Sequence, residues 1–596
     1  MKTYKSRQEV PVQEQWNLTD IYENKTAWEQ DYQQIEKLTE TLKAYDGRLD
    51  DAQSLYNYLT QSEELSFLYR KVYAYAMLHV DCDTRDTTSQ ALLDRSSQLG
   101  QKVSAASSFF MPFLLSLEEE TLKKYISEVE GLQYFEEDLL DSFRYKKHVL
   151  NRDQEEILSQ MGETLSAPQK TFGMFNNADI KFGEITAENG EKVNLTRGMY
   201  AKLIENEDRK KREEAYKAYY KPYIHLQNTI ASTLSAAVKN NVLISKLRNY
   251  PSAIEKSLFS DMVPLTVYDN LIKATKENIE PMHTYISLRK KILGVDELRQ
   301  YDLSVPLVKG IKQDISYEEA FETMLSALAP LGKDYAATLS GFKEKRYIDV
   351  RETPGKRSGA YNLGVYGVHP FILLNHQDDL DSLFTLAHEC GHGMHSYYST
   401  KHQPQITAGY SIFVAEVAST VNEILLIRYL LETTKDNHMK KHLLNHFIDG
   451  FKGTFFTQVM FAEFEKIVHD KAEAGEPLNT EAFNTIYEKL FKEYNGSDLL
   501  VLDEEVKFGW SRIPHFYRPF YVYKYATGYA SAIHIADRIL SGDKETLDHY
   551  LDFLKSGSSD YPLELLKATG VDLTKPEPIQ SALSIFSDLV DEFARL

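Results

Sequence analysis

Cysteine is almost missing from this 596-residue chain: Cys82 and Cys390 are the only two. Two thiols cannot build a disulfide framework, so the fold must stand on its core, and a reducing compartment fits. Glycine (28) and proline (18) are also sparse for the length. So few chain breakers point to long helices and away from a turn-rich all-β fold. Long apolar runs are lacking too. The greasiest patch, Phe109 to Leu117, is broken by Pro112, and the opening MKTYKSRQEV has no apolar segment. No membrane partner and a cytoplasmic location are therefore expected. Positive charge is in deficit, 68 Lys and Arg against 88 Asp and Glu, which leaves −20. A surface of that sign repels phosphate backbones and argues against nucleic acid as a partner.

What is present reads as helix first. From Trp28 to Leu42, the residues Tyr32, Ile35 and Leu38 recur at helical spacing, and similar stripes run over Leu55–Met77 and Asp86–Phe113. These stripes are expected to be packing faces. The pattern changes at Ile180-Lys-Phe-Gly-Glu-Ile and Glu191-Lys-Val-Asn-Leu, two short alternating runs about Glu188-Asn189-Gly190 that predict a β-hairpin. A lobe boundary is placed there, giving an N-terminal helical lobe over 1–195 and a catalytic domain over 196–596. Helices resume at Thr196 and run to about Lys291. Extended patches follow at Tyr301–Leu307, Tyr347–Val350 and His369–Asn375. The expected fold is mainly α: two helical lobes around a deep substrate channel, with small β elements near the helix described next.

The segment Thr385-Leu-Ala-His-Glu-Cys-Gly-His-Gly-Met-His395 contains HExxH. On a helix, His388 and His392 lie one turn apart on one face, so both imidazoles can reach one zinc ion. Glu389 is about 100° round the helix, placed to reach a water on the metal without being a ligand. Asp378 and Asp379 are both plausible caps for this helix. A zinc site needs a third protein ligand. His395 is excluded, because seven residues mean about 10 Å of rise. Glu416 is the better candidate, a carboxylate inside the apolar run Phe413-Val-Ala-Glu-Val-Ala-Ser-Thr-Val-Asn-Glu423 that a metal would compensate. Glu423, on the same helix face, can accept a hydrogen bond from a ligating imidazole. Cys390 points about 200° away from His388 and reads as core.

HECGHGMH followed by FVAEVASTVNE resembles the thimet-oligopeptidase-related metallopeptidases. Trp16-Asn-Leu-Thr-Asp-Ile-Tyr22 and Gly355-Lys-Arg-Ser-Gly-Ala-Tyr361 are similar to the oligoendopeptidase F branch, and the likeness covers nearly the whole chain. The resemblance implies one zinc ion per chain on His388, His392 and Glu416, with Glu389 as base. It further implies internal cleavage of short, unstructured oligopeptides, with a role in cytoplasmic peptide turnover. Zinc would lower the pKa of its water, and Glu389 would take the proton as hydroxide attacks the carbonyl.

Near the C-terminus, His515-Phe-Tyr-Arg-Pro-Phe-Tyr-Val-Tyr-Lys-Tyr-Ala-Thr-Gly-Tyr529 is rich in phenols, which suit an oxyanion but equally suit a core stripe. The resemblance points to His515 and Tyr521 in the active cleft, with Tyr525 and Tyr529 behind them. The apolar run that includes His369 and Phe371 is either a buried strand or an edge strand that pairs with a peptide, and the resemblance favours the edge. Gly364 and Gly367 would suit a loop beside it. A helical zinc carboxypeptidase and a non-enzymatic peptide carrier are the rival readings. Monomer and small homo-oligomer both stay open.

Overall fold

A computed structural model describes residues 4–186, 190–308 and 314–596. The chain is mostly helical, with five short strands among the described residues: β1 (Glu184–Thr186), β2 (Lys192–Asn194), β3 (Ile348–Arg351), β4 (Tyr361–Gly364) and β5 (Pro370–His376). It divides into two compact units. The first comprises Met1–Lys147, Lys312–Leu426 and Ile535–Thr569, and the second His148–Ile311, Ile427–His534 and Gly570–Leu596. The boundary expected at 195 falls inside the second unit. Residues before it are held there by distant partners: Asn240 donates to the Leu165 carbonyl at 2.9 Å, and Phe172 stacks on Tyr517.

The first unit opens with helices Lys25–Lys43, Ala52–Cys82 and Thr87–Ser107. Each is started by an acid or amide whose side chain accepts backbone N–H bonds: Asn24, Asp51 and Asp86. Trp28, Tyr32, Ile35 and Leu38 face inward as their spacing predicts, against Tyr58, Leu65 and Val72 of the second helix and Leu92 and Leu99 of the third. That core continues onto the three-stranded sheet through Val365, Phe371 and Leu373.

The sheet order is β3-β5-β4, with β5 parallel to β3 and antiparallel to β4. The run His369–Asn375 is therefore the central strand, not the edge strand the sequence led us to expect. Both of its edges are occupied, so it has no side on which a peptide could be added. Its apolar residues are continuous because both faces are covered. Phe371 and Leu373 meet the N-terminal helices, while Ile372 meets the helix Leu380–His402, where a Cβ on Gly393 would lie 2.8 Å from Ile372 Cδ1. The segment before the first helix is tied to this sheet as well. Arg7 pairs with buried Asp349, Glu14 pairs with Arg351 at 2.6 Å, and the Trp16 indole donates to the Tyr347 carbonyl at 3.1 Å.

In the second unit β1 and β2 pair antiparallel, Ile185 opposite Val193, as the alternating runs predict. The expected turn residues Glu188 and Asn189 lie outside the described residues. The extended reading of Tyr301–Leu307 is corrected. Gln300–Asp302 is a 3₁₀ turn, and arginines take the place of a partner strand. Fully buried Asp302 receives Arg209 and Arg212 at 2.8 and 2.7 Å, and the Val305 carbonyl accepts from Arg289.

Candidate metal centre

The helix Leu380–His402 starts at Asp379, whose extended backbone frees its side chain to accept the Ser382 amide at 2.9 Å. Asp378, the other candidate cap, has left-handed backbone (φ 59°) and pairs with Arg351 instead. One turn apart on this helix, His388 and His392 bring their Nε2 atoms to 3.2 Å. The helix Ile412–Thr433 supplies Glu416, with Oε2 at 3.4 Å from His388 Nε2 and 3.7 Å from His392 Nε2.

Those three edges are what a tetrahedral ion requires. Zinc–nitrogen bonds of about 2.0–2.1 Å separate neighbouring ligand atoms by about 3.3–3.4 Å. Each of the three residues keeps part of its surface accessible, so the group is reachable from solvent. The ring chemistry points the same way. His388 donates through Nδ1 to Glu423 Oε1 at 2.6 Å, which leaves Nε2 as the lone-pair nitrogen in the neutral ring. A backbone hydrogen bond at Ala415 holds His392. Two such nitrogens facing one another at 3.2 Å, with a carboxylate beside them, call for a cation among them.

Burial pulls His388 down, but the Glu423 hydrogen bond and the charges of Glu423, Glu389 and Glu416 outweigh it and raise the group to about 9. His392 is pushed down to about 3, by burial and then by His388. Burial raises Glu389 to about 7, with His388 opposing and Glu416 and Glu423 adding. The Glu389 carboxylate is 7% exposed, and its Oε2 has no hydrogen-bond partner among the described residues. A buried carboxyl next in sequence to a candidate ligand is suited to passing protons.

Two further residues set how closely the two helices meet, and sequence reasoning did not single them out. A Cβ on Gly391 would lie 2.6 Å from the Ala418 carbonyl oxygen and 2.6 Å from Ser419 Cα, so glycine lets one backbone lie against the other. Asn422, fully buried, donates to the Ala387 carbonyl at 3.1 Å and accepts from the Tyr335 hydroxyl at 3.0 Å. This clamp fixes the register that presents Glu416. The one sequence signal for Asn422 is an amide in an apolar run. A third residue, Tyr410, bonds Ser396 at 2.9 Å, which in turn receives Asn362 of β4 at 2.9 Å.

His395 is no part of the metal group. It is 1% exposed, stacked on Tyr410 at 3.8 Å, and burial pushes it down to about 3. Cys390 is fully buried, and burial raises its thiol. His369 and Phe371, expected to contact substrate, lie in the core of the first unit. His369 stacks on Tyr347 at 3.5 Å and meets Asp20 at 3.1 Å, while Phe371 packs edge-on to Trp16. That assignment is corrected along with the edge strand it depended on. Gly364 ends β4, and Gly367 sits in a turn at φ 78°, where a Cβ would meet the Phe67 ring at 2.7 Å.

The C-terminal candidates belong to the second unit. The His515 and Tyr521 rings lie parallel at 6.1 Å, and Tyr525 stands edge-on to Tyr521 at 5.3 Å. Arg518 covers Tyr521 at 4.1 Å. Burial, then Arg518, holds His515 below the usual imidazole range. Tyr529 is buried edge-on to Phe451 at 5.0 Å, as core packing.

The family model of peptidase family M3 matches residues 202–585, and that of Oligopeptidase F matches 114–182. The chain is 43% identical to Oligopeptidase PepF of Bacillus subtilis (strain 168), over 99% of this chain and 88% of that one. It is similar to the crystal structure of oligoendopeptidase-F from Enterococcus faecium, with 36% identity and a TM-score of 0.75 over 96% of this chain and 99% of the other. A crystal structure from Chlamydophila abortus, 33% identical, superposes with a TM-score of 0.92 over 99% of both chains.

Proposed function

This chain belongs to peptidase family M3 and is a metalloendopeptidase, and from that premise we propose that it hydrolyses internal bonds of short, unstructured oligopeptides with one zinc ion on His388, His392 and Glu416. The observation that carries the reading is the triangle of 3.2, 3.4 and 3.7 Å between the three candidate ligand atoms, with Glu389, whose Oε2 has no hydrogen-bond partner among the described residues, next in the chain to His388. When bound there, zinc supplies Lewis acidity toward the scissile carbonyl and makes the attacking water a stronger acid.

The remaining steps belong to side chains. Glu389, buried and next in the chain to His388, takes the proton of the attacking water and delivers it to the leaving amine. Glu423 holds the Nδ1 proton of His388 and so keeps Nε2 as the ligand atom. His515 and Tyr521, with Tyr525 next to them, are assigned as donors to the developing oxyanion. The family resemblance is the ground for that assignment. β4 is an edge strand, and its outer side offers main-chain groups to an extended peptide irrespective of sequence. Gly364 keeps that strand low, since a Cβ there would lie 3.0 Å from Ser396.

Among the described residues no helix is long and apolar enough to cross a membrane. We place the enzyme in the cytoplasm, as a monomer or small homo-oligomer turning over peptides, with no nucleic-acid partner in keeping with its −20 charge. Mass spectrometry of a digested unstructured nonapeptide, run beside a tightly folded small protein, tests the substrate class. Internal cuts in the peptide and none in the folded protein are expected. Stepwise loss of single C-terminal residues, or equal cutting of the folded protein, would sink the proposal.

A further inference from the structure

The second unit contains a cavity of about 180 Å³ whose lining, among the described residues, has no carboxylate, although the chain carries 88 of them. Two cations line it, Arg512 and Lys452, and none of the metal-centre residues does. That is well above the roughly 10–15 Å³ that a single water needs on the same measure.

Neither cation has a carboxylate to itself among the described residues. Arg512 spends its Nε–H on the Tyr220 hydroxyl at 3.0 Å and has no carboxylate partner among the described residues. A half-buried guanidinium without a counter-charge favours an anion beside it. Lys452 sits on the π-helical turn Phe451–Phe456, a distortion often found where a helix carries function. Its ammonium donates to the Leu303 carbonyl, and the nearest acid is Asp449 at 4.0 Å. Asp449 is already committed: Arg289 lies 3.6 Å from it, Tyr285 donates to it at 2.9 Å, and Asn445 donates at 2.6 Å. One carboxylate thus serves two cations, buried Arg289 and half-buried Lys452, and Arg512 adds a third positive charge with no carboxylate among the described residues.

The uncharged lining adds donors. The Tyr487 hydroxyl has no partner among the described residues, and Gln300 accepts the Tyr216 hydroxyl through its carbonyl, which leaves its amide hydrogens to give. Ser304, also in the lining, is exposed, so the cavity is reachable from solvent. We propose that this cavity is a binding site for a small oxyanion, a phosphate or a small carboxylate, held by Arg512 and Lys452. A halide would satisfy the charge but leave most of the volume and the donors unused.

The test is thermal unfolding of the full-length protein in sodium gluconate at constant ionic strength, titrated separately with inorganic phosphate, succinate and chloride. A saturable rise of about 2 °C at a hundredfold excess over Kd is expected from phosphate or succinate. The stronger of the two names the class of oxyanion. The rise should vanish in Lys452→Gln and Arg512→Gln. No rise, an equal rise in both variants, or a rise from chloride alone would overturn the site. Should either variant fail to fold, selenate soaked into crystals of the unaltered protein decides by anomalous scattering. A peak against Arg512 and Lys452 supports the proposal, and a cavity holding only water contradicts it.

Discussion

His388 Nδ1 lies 2.6 Å from Glu423 Oε1, a bond made across two helices by residues 35 apart in sequence. It decides which nitrogen of His388 faces Glu416 and His392, and so whether the group presents a ligand or a proton. Replacing Glu423 by Gln keeps the shape and removes the charge. Zinc affinity should fall about 10–100-fold, read by competition with a chromogenic chelator. Unchanged affinity would mean that Glu423 does not orient the ligand.

Gly391 sets the distance between the same two helices. A methyl group there meets backbone, which cannot swing aside, at 2.6 Å. Gly391→Ala should cost about 1–3 kcal/mol in urea unfolding and lower the zinc content with it. Gly393→Ala, whose nearest neighbour is the end of the Ile372 side chain, should cost less. Equal costs for the two would contradict a backbone-to-backbone approach at Gly391.

Acid sensitivity has an identifiable source in the second unit. His469 is 2% exposed, its ring nitrogens meet the Glu465 carbonyl at 2.8 Å and Asn241 at 3.2 Å, and burial lowers it to about 4. The unfolded chain takes up this proton near pH 6.5, and the folded chain does so only near 4. Acid therefore favours unfolding between those values, and His469 contributes stability that is full above pH 6.5 and lost below it. The total is about 3 kcal/mol. Buried Glu465 is shifted the other way, so the difference between curves is the observable. His469→Gln should remove up to about 1.4 kcal/mol per pH unit of slope between pH 4 and 6.5 in chemical unfolding of the zinc-free protein. Parallel curves for the two proteins would contradict it.

How much of this was legible beforehand depended on the range of the signal. His388 and His392 are four residues apart, and helical pitch alone puts them together. Glu416 stood out because a carboxylate in an apolar run needs a reason. The N-terminal helices followed from the spacing of Trp28, Tyr32, Ile35 and Leu38. β5 is legible as a strand but not as the central one, since a continuous apolar run says that both faces are covered and nothing about which strands flank it. The parallel pairing of Ile348 with Ile372 is a tertiary fact without local trace. Tyr301–Leu307 misled because its apolar alternation belongs to a segment pinned by Arg209, Arg212 and Arg289, whose side chains reach it from elsewhere in the sequence. Gly391 and Asn422 act through a helix contact that exists only once both helices are folded.

The most direct measurement of the central claim is zinc content and peptide cleavage, determined on the same preparations of wild type, Glu416→Gln and Glu389→Gln. Wild type should carry one zinc per chain and cleave. Glu416→Gln should lose the metal and the activity together. Glu389→Gln should keep the metal and lose cleavage by about 10²–10⁴-fold. Full activity in Glu389→Gln, or undiminished zinc in Glu416→Gln, would contradict the account.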